Sequence, residues 1–214
     1  MLIIGAKGFA KEVLEICHQC EDIKNLVFYD DINLDIGTLL FDQFKILKNI
    51  NEAKLYFETV DFRYTIGIGN PYLRYKLFEK FSKIGGEYFS TISPNAKIGS
   101  YDVEIGNGTN ILSNAIISNS AKIGKGCILY YNVIVTHDCI VGDFVELSPN
   151  ATLLGRVDVG NFSQIGANAT ILPNLKIGKN VVVGAGAVVT KDIPDNCVAV
   201  GIPAKIIKEY KIIY

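Results

Sequence analysis

The sequence predicts a chain of two parts, an α/β domain over residues 1–92 and an all-β parallel solenoid over residues 93–214. A six-residue period of aliphatic residues, running without exception from Ile105 to Val189, predicts the solenoid. A second period, of eighteen residues and marked by glycines, coincides with the first. The α/β domain is predicted by a strand, a glycine turn and a helix at the start of the chain, followed by a strand that ends in two aspartates.

Both periods fit a coil of three flat strands, so that one coil takes eighteen residues. A helical period would drift off six within two turns, and a strand period of two would leave the eighteen unexplained. The aliphatic positions are Ile105, Ile111, Ile117, Ile123, Leu129, Val135, Val141, Leu147, Leu153, Val159, Ile165, Ile171, Ile177, Val183 and Val189. The glycines are Gly106, Gly124, Gly142, Gly160 and Gly178. We therefore predict that the aliphatic side chains point inward and stack from coil to coil, and that the glycines mark one edge of each coil.

The first ninety residues alternate predicted strands and helices. Leu2–Ile4 and Leu26–Tyr29 have the pattern of buried strands, and residues 9–20 have the pattern of a helix between them. A later strand, Tyr64–Ile68, precedes a helix that Pro71 opens, a favoured first-turn position. This order is the skeleton of a Rossmann-like nucleotide-binding unit, whose ligand lies at the carboxyl ends of the strands.

Two features limit the class of nucleotide that this unit can bind. The turn Gly5–Gly8 lacks the middle glycine of the dinucleotide fingerprint, and the unit is too short for a full dinucleotide fold. A mononucleotide or a sugar nucleotide therefore fits it better than NAD. The alternation of strand and helix stops at 91–94, which places the domain boundary after residue 92. Ile98 then starts the coils, with a one-residue insertion before Ile105.

Composition excludes several classes of function. The 214 residues carry a net charge of −1 without runs of Lys or Arg, so neither nucleic acid nor an anionic membrane is indicated as a partner. The start has no leader-like pattern, and no stretch approaches the ~18 apolar residues of a membrane-spanning helix, so we expect a cytoplasmic protein. Five scattered cysteines indicate reduced thiols, and Cys17 and Cys20 lack a second ligand pair, so no metal is predicted.

His137 is the only histidine of the solenoid, and the coil does not need one there. It lies two residues past the inward Val135 and directly before Asp138, and its counterparts one coil away are Asn119 and Gly155. An imidazole is suited to proton transfer near neutral pH, and a neighbouring carboxylate can hold its tautomer and stabilise the imidazolium. The residues alone leave two interpretations open, a general base and a solvated surface histidine.

The repeat resembles that of the hexapeptide-repeat acyltransferases, which fold as left-handed parallel β-helices. The two-part layout resembles, within them, the sialic-acid O-acetyltransferase and UDP-4-amino-sugar N-acetyltransferase group. The matching segments are 3–10, 28–31, 68–70 with Arg74, and 202–205. The resemblance implies transfer of an acetyl group from acetyl-coenzyme A to the amino group of a nucleotide-linked 4-amino sugar, a UDP-4-amino-4,6-dideoxy sugar, in bacterial surface glycan biosynthesis. It also implies a homotrimer with coenzyme grooves between subunits.

The same resemblance implies the site residues. His137 and Asp138 match the family's catalytic pair, with His137 as general base and a backbone N–H near Gly155 stabilising the oxyanion. The residues implied to bind the sugar nucleotide are Gly5, Ala6, Lys7, Gly8, Asp30, Asp31, Gly69, Asn70 and Arg74. Those implied to bind coenzyme A are Glu146, Gly155, Ala167, Ala185, Ala187 and Lys191, together with Pro203 and Lys205 in a C-terminal tail.

Three positions depart from the family's pattern. Phe9 and Glu146 stand where relatives have histidines, and Tyr130 stands where they have an asparagine near the catalytic histidine. These departures put the substrate in doubt more than the reaction. An O-acetyltransferase of sialic acid or another sugar and a non-catalytic sugar-nucleotide-binding protein remain alternatives. A hexapeptide-repeat carbonic anhydrase is excluded, because it needs three histidine ligands per zinc and the solenoid has one histidine.

Overall fold

The computed structural model describes residues 1–210, apart from the side chain of Leu34. The first part is an α/β domain. Its strands are β1 (Leu2–Ile4), β2 (Val27–Tyr29), β3 (Leu39–Leu40), β4 (Phe44–Leu47), β5 (Arg63–Ile66) and β6 (Glu87–Tyr88). Its helices are α1 (Gly8–Gln19), α2 (Ile50–Thr59) and α3 (Pro71–Lys83), with a short 3-10 helix at Leu34–Ile36. The sheet order is β3-β4-β2-β1-β5-β6, and its neighbours are parallel except for β3 and β4.

The predicted strands and helices of this domain are present, with ends shifted by one or two residues. Parallel pairing of β2, β1 and β5 brings their carboxyl ends to one edge of the sheet. Helix α1 crosses very close to the end of β5, since a Cβ atom added to Gly67 would lie 2.5 Å from the Cα atom of Ala10. This glycine is therefore needed for the packing that places the start of α1 beside that edge.

From Thr91 the chain winds into a parallel β-helix with three sides. The first sheet contains β7 (Thr91–Ile92), β10 (Asn110–Ile111), β13 (Ile128–Leu129), β16 (Glu146–Leu147), β19 (Gln164–Ile165), β22 (Val182–Val183), β24 (Cys197–Val200) and β25 (Lys205–Glu209). The second contains β8 (Lys97–Ile98), β11 (Ile116–Ile117), β14 (Ile134–Val135), β17 (Thr152–Leu153), β20 (Thr170–Ile171) and β23 (Val188–Val189). The third contains β9 (Glu104–Ile105), β12 (Lys122–Ile123), β15 (Ile140–Val141), β18 (Asp158–Val159) and β21 (Lys176–Ile177).

Residues that are eighteen positions apart in the sequence pair on neighbouring strands of these sheets. In the first sheet Ile111 pairs with Leu129, which pairs in turn with Leu147. The predicted inward positions are all buried except Ile105, which is half-buried. The pairing of β7 with β10 starts the ladder at Thr91, two residues before the predicted boundary, and β25 closes the first sheet as an antiparallel edge strand.

The turns between strands share one backbone conformation, with positive φ at their second residue. Asparagine fills many of these positions, because its short polar side chain tolerates the left-handed region. Examples are Asn114, Asn132, Asn150, Asn168 and Asn174. Phe144 and Phe162 are exceptions, with φ of 57° and 63°. Their rings stack 5.7 Å apart and within 6° of parallel, so two bulky residues adopt this conformation to form an aromatic pair at one corner.

Helix α3 of the first domain packs on this aromatic pair. Tyr72 stacks on Phe162 at 4.9 Å, and the Phe78 ring lies 5.8 Å from that of Phe144. A Cβ atom on Gly126, one coil earlier at the same corner, would lie 2.6 Å from the Phe144 ring. The glycine therefore leaves the space that the ring fills, and burial of the rings holds the two parts of the chain together.

A buried amide joins the same two parts. The Asn110 side chain, fully buried in the first sheet, accepts hydrogen bonds from Thr65 (2.9 Å) and Thr91 (2.6 Å) and donates to the Ile66 carbonyl (3.0 Å). Leaving any of these buried groups without a partner would be costly. These hydrogen bonds therefore fix β5 of the first domain against the early strands β7 and β10 of the first sheet.

Candidate active site

His137 and Asp138 form the turn between β14 and β15, at the corner between the second and third sheets. The Nδ1 atom of His137 lies 2.7 Å from Oδ2 of Asp138. Both side chains are about half exposed. Asp138 occupies the positive-φ position, with φ of 60°. When Nδ1–H donates to the carboxylate, Nε2 keeps the lone pair that can accept a proton.

The imidazole lies against the backbone of Gly155, one coil later. A Cβ atom on Gly155 would lie 2.6 Å from Cε1 and 2.7 Å from Nε2 of His137, so the ring occupies the space of the missing side chain. The neighbouring Arg156 N–H donates to the His137 carbonyl at 3.1 Å. Within residues 1–210 the Gly155 N–H has no acceptor, which leaves a backbone donor close to the ring.

A cavity of about 460 Å³ opens on the other side of the imidazole, toward the first coil. His137 lines it together with Lys97, Ile116, Ser118 and Asn119. Asn119 is the coil counterpart of His137, and its Oδ1 accepts the Tyr101 N–H at 3.2 Å. Sequence reasoning named Asn119 only as that counterpart. The eighteen-residue period was the signal that could have placed it, with Ser118, in the site.

The predicted coenzyme residues form two groups on either side of the second sheet. Gly155 and Lys191 lie at the His137 corner, and Lys191 is exposed. Ala167 and Ala185 lie one above the other at the opposite corner, where Ala185 is exposed and Ala167 is half-buried. One chain therefore does not bring the two groups into contact.

The predicted C-terminal residues lie near the alanine corner. The loop Gly201–Ala204 joins β24 to β25 and is fastened to Val188 of the second sheet by two backbone hydrogen bonds, of 2.8 and 3.1 Å. Pro203 in this loop and Lys205 after it are exposed. They can therefore meet a ligand that passes the alanine corner.

Ala187, also predicted to bind coenzyme A, belongs to neither corner. It is fully buried in the core of the solenoid, at a second inward position two residues before the aliphatic Val189. Its side chain fills a narrow part of the core, so it is not available to a coenzyme. Cys139, two residues before Val141 of the third sheet, has the same place in its six-residue repeat and is also buried, as expected for a packing residue.

A second cavity, of about 170 Å³, lies at the carboxyl edge of the first domain's sheet. It is lined by Ile4, Gly5, Tyr29, Asp30, Asp31, Ile32, Asn33, Ile68, Leu73 and Leu77. Gly5, at φ 99°, turns the chain away from β1. The structure thus brings together Gly5, Asp30 and Asp31, which sequence reasoning had placed in one site. The apolar Leu73 and Leu77, on α3, were missed because their side of the helix depends on its docking.

The two aspartate side chains of this cavity already accept hydrogen bonds from neighbouring residues. Asp30 accepts from the backbone N–H of Asn33 at 2.8 Å and from the Asn33 amide at 2.9 Å. Asp31 accepts from the Tyr29 hydroxyl at 2.7 Å and from Lys80 at 3.0 Å. Burial is the largest single effect on the pKa of Asp31 and would raise it, but these two donors help to outweigh burial and the pKa is lowered. Burial, and after it the hydrogen bond to Asp31, raises the pKa of Tyr29 above its usual range.

The start of α1 lies beside this cavity and is uncapped. Lys7, the N-cap residue, makes no capping hydrogen bond with its side chain and pairs with Asp35 at 3.1 Å. The first turn of α1 carries no acidic residue. Gly8 is the first residue of the helix, and Ala6, two residues earlier, is buried. Free N–H groups at a helix start bind phosphate, so the turn from Gly5 to Gly8 offers an anion site.

Helix α3, in contrast, is capped by Asn70, whose Oδ1 accepts the Leu73 N–H at 2.9 Å. The Asn70 side-chain oxygen therefore already has a hydrogen-bond partner within the helix. Gly69 lies beside Glu146 of the first sheet, since a Cβ atom on Gly69 would be 3.6 Å from Oε2 of Glu146. The structure therefore places Glu146 next to the first domain and away from the other predicted coenzyme residues.

Arg74, predicted to complete the sugar-nucleotide pocket, is not among the residues that line the second cavity. Arg74 is fully buried, and its guanidinium donates to the carbonyls of Gly126 (3.0 Å), Phe144 (2.7 Å) and Gly69. Burial lowers its pKa. The side chain reaches from α3 into the corner of the solenoid, so it joins the two parts of the chain.

Among the described residues we looked for groups of metal-ligating side chains and for helices that could cross a membrane. Within residues 1–210, no three His, Cys, Asp or Glu side chains are grouped so that they could hold a metal ion. None of the helices in the described part of the chain is long and apolar enough to cross a membrane.

Two family models match the sequence. The model of the PglD N-terminal domain matches residues 1–81, and that of the bacterial transferase hexapeptide (six repeats) matches residues 156–191. No curated protein matches the chain significantly.

Solved structures of several proteins resemble nearly the whole chain. PerB from Caulobacter crescentus, in complex with CoA and GDP-perosamine, is 30% identical with a TM-score of 0.88, over 96% of this chain and 95% of that chain. WeeI from Acinetobacter baumannii AYE is 32% identical with a TM-score of 0.87, over 96% and 98%. The acetyltransferase domain of PglB from Neisseria gonorrhoeae FA1090, in complex with acetyl coenzyme A, is 29% identical with a TM-score of 0.86, over 96% and 98%. This chain therefore belongs to the hexapeptide-repeat family of acetyl-coenzyme A-dependent sugar acetyltransferases with a PglD-type N-terminal domain, and its coils form the left-handed β-helix of that family.

Proposed function

We propose that this protein transfers the acetyl group of acetyl-coenzyme A to the amino group of a nucleotide-linked 4-amino sugar, a UDP-4-amino-4,6-dideoxy sugar, in bacterial surface glycan biosynthesis. The observation that carries the proposal is the His137 imidazole, bonded to Asp138 at 2.7 Å and lying against Gly155. A cytoplasmic location is part of the proposal.

The proposed chemistry uses three groups of this corner. Nε2 of His137 accepts a proton from the sugar nitrogen as that nitrogen attacks the thioester carbonyl. Asp138 holds Nδ1–H and stabilises the imidazolium while it exists. The free N–H of Gly155 stabilises the negative charge that develops on the carbonyl oxygen. The proton then passes from His137 to the departing sulfur, so no acyl-enzyme is required.

The cavity of the first domain supports uridine as the base. Guanine presents two adjacent N–H donors, which a free carboxylate binds well, whereas uracil presents one N–H between two carbonyls, which an amide binds. Among the described residues lining this small cavity, the carboxylates of Asp30 and Asp31 already accept hydrogen bonds, and the Asn33 side chain, whose amide nitrogen donates to Asp30, offers its carbonyl oxygen to the single uracil N–H. PerB has GDP-perosamine bound, so the base has to be tested in this chain.

The outward residues of the second sheet support a homotrimer. From β11 to β23 they are uncharged, namely Ile116, Ile134, Thr152, Thr170 and Val188. The third sheet presents Glu104, Lys122, Asp158 and Lys176 to solvent beside Ile140. An uncharged side suits contact with other copies, and the second sheet is flanked by both groups of coenzyme residues. Three copies meeting along it bring the alanine corner of one to the His137 corner of the next. Light scattering should therefore give three times the chain mass of 23.5 kDa.

The test of the function is acetyl transfer in vitro. With acetyl-coenzyme A and a UDP-linked 4-amino-4,6-dideoxy sugar, we expect thiol release and an N-acetylated product by mass spectrometry, and slower turnover with the GDP-linked sugar. Faster acetylation of a sugar hydroxyl would identify an O-acetyltransferase. Binding of both ligands without any turnover would indicate a non-catalytic binding protein.

A further inference from the structure

Glu146 is a half-buried carboxylate at the junction of the first domain and the first sheet. Its Oε1 accepts from the Ser148 hydroxyl at 3.3 Å, and its Oε2 accepts from the Gln164 amide at 3.2 Å. Gly69, at the end of the segment after β5, passes beside Oε2 without a side chain between them. The carboxylate therefore lies beside the segment that follows the carboxyl end of β5.

Glu146 makes no ion pair within residues 1–210, although the charge of the buried Arg74 acts on it from a distance. The ion pairs of that part of the chain do not include it, and both of its hydrogen-bond donors are neutral. Arg74 is nearby, but its guanidinium is directed to backbone carbonyls. A half-buried carboxylate of this kind is best stabilised by a cation that arrives with a ligand.

The position of Glu146 relative to the phosphate turn indicates which ligand. Phe9 directly follows the turn from Gly5 to Gly8, and its ring packs on that of Tyr130, 5.1 Å away. The Tyr130 N–H donates at 3.0 Å to the carbonyl of Leu147, the residue after Glu146, so Tyr130 and Glu146 lie on neighbouring coils of the first sheet. Burial, and after it the charge of Glu146, raises the pKa of the Tyr130 phenol. A diphosphate bound at the start of α1 therefore directs its sugar past the Phe9–Tyr130 pair toward Glu146.

We propose that Glu146 binds the ammonium group of the amino sugar and positions it for transfer, an inference that rests on the proposed function. In one chain Glu146 and His137 lie on different sides of the prism, so the His137 that completes the site comes from a neighbouring copy. The ammonium gives one proton to solvent and becomes the attacking amine. The second proton leaves nitrogen for His137 as the N–C bond forms, and it reaches sulfur as the C–S bond breaks.

The test compares wild type with Glu146→Gln, which keeps shape and hydrogen bonding and removes the charge. Calorimetry with a UDP-linked 4-amino sugar, the same sugar with a 4-hydroxyl, UDP alone and acetyl-coenzyme A gives four affinities. We expect wild type to bind the amino sugar more tightly than the hydroxyl sugar. The affinity of the variant for the amino sugar, and for no other ligand, should fall roughly 10- to 100-fold, which corresponds to the loss of one charged hydrogen bond. Unchanged UDP affinity reports that the variant is folded.

Glu104→Gln is the matched control, because Glu104 is an exposed carboxylate on the third sheet that pairs with Lys122. It should change none of the four affinities. Equal binding of amino and hydroxyl sugars by wild type, or a Glu146→Gln variant that binds the amino sugar normally, overturns the inference while leaving acetyl transfer intact. A loss confined to acetyl-coenzyme A overturns it in favour of a coenzyme contact. Absence of acetyl transfer by wild type to either the UDP- or the GDP-linked amino sugar defeats the proposed function itself.

Discussion

The turn at His137 and the turn at Phe144 follow one another in the same coil and have the same backbone. Asp138 and Phe144 occupy the equivalent second position, with φ of 60° and 57°. The first turn presents a half-exposed imidazole and carboxylate, and the second buries an aromatic ring under α3. The coil thus fixes the path of the chain, while the side chains at each corner decide whether that corner carries the proposed catalytic pair or packs against the first domain.

The largest effect is expected from removing the imidazole at the first of these turns. His137→Ala should lower kcat by roughly 10²–10⁴-fold, the usual contribution of a positioned general base. Acetyl-coenzyme A affinity and thermal stability should stay close to wild type, because the side chain is half exposed and outside the core. Steady-state kinetics and calorimetry measure the two quantities.

His18→Ala serves as its control, since His18 is the other histidine and lies exposed near the end of α1. It should leave kcat unchanged. The acid limb of the wild-type pH profile should be absent in His137→Ala. A variant that kept most of its activity across the neutral range would mean that the amine arrives deprotonated and the site acts by positioning alone.

At the second turn the same kind of truncation should affect stability. Phe144→Ala removes a buried ring that stacks on Phe162 and contacts α3, so the free energy of unfolding should fall by about 3 kcal/mol. Asn132→Ala, at an exposed turn position of equal φ, should cost about 1 kcal/mol or less. Urea unfolding at one fixed protein concentration compares them. Equal costs for the two variants would contradict an anchoring role for the Phe144 corner.

Most of the fold was predictable because the solenoid repeats one local interaction. Inward side chains stack at intervals of eighteen residues, so the period alone predicts register and burial for every coil after Ile105. The same period has a second, smaller inward column, to which Ala187, a predicted coenzyme residue, belongs. A small side chain suits both a narrow core and a groove, and only the register of Val189 distinguishes them.

The site was less predictable wherever a side chain points between distant segments. A long cationic residue after Asn70 and Pro71 suits a phosphate pocket, but Arg74 is directed to carbonyls 52 to 71 residues away. Glu146 likewise faces the first domain because of how that domain docks. His137, Asp138 and Gly155 needed no such information, because their relation follows from the period.

The relation between the ring and Gly155 should be visible in a double-mutant cycle. Gly155→Ala places a methyl group within 2.7 Å of two ring atoms, so the imidazole must move and kcat should fall roughly 10- to 100-fold. The backbone of Gly155 does not have positive φ, so stability should change little. In the His137→Ala background the same substitution should have almost no further effect. Additive losses would show that Gly155 acts without the ring.

The smallest effect is expected at Asp138, the partner of the ring. Asp138→Asn should lower kcat about tenfold, less than the loss of the ring and less than at a buried catalytic triad, because the half-exposed amide can turn its oxygen to accept Nδ1–H and only the charge that stabilises the imidazolium is removed. Half exposure lets water screen part of that charge. Asparagine also suits the positive φ of this position, so folding should be preserved. Asp102→Asn, at the equivalent turn position of the first coil, is the control and should leave kcat unchanged. A loss at Asp138 as large as that of His137→Ala would show that the carboxylate, and not the imidazole alone, is needed for proton transfer, and the corner would then work as a coupled pair.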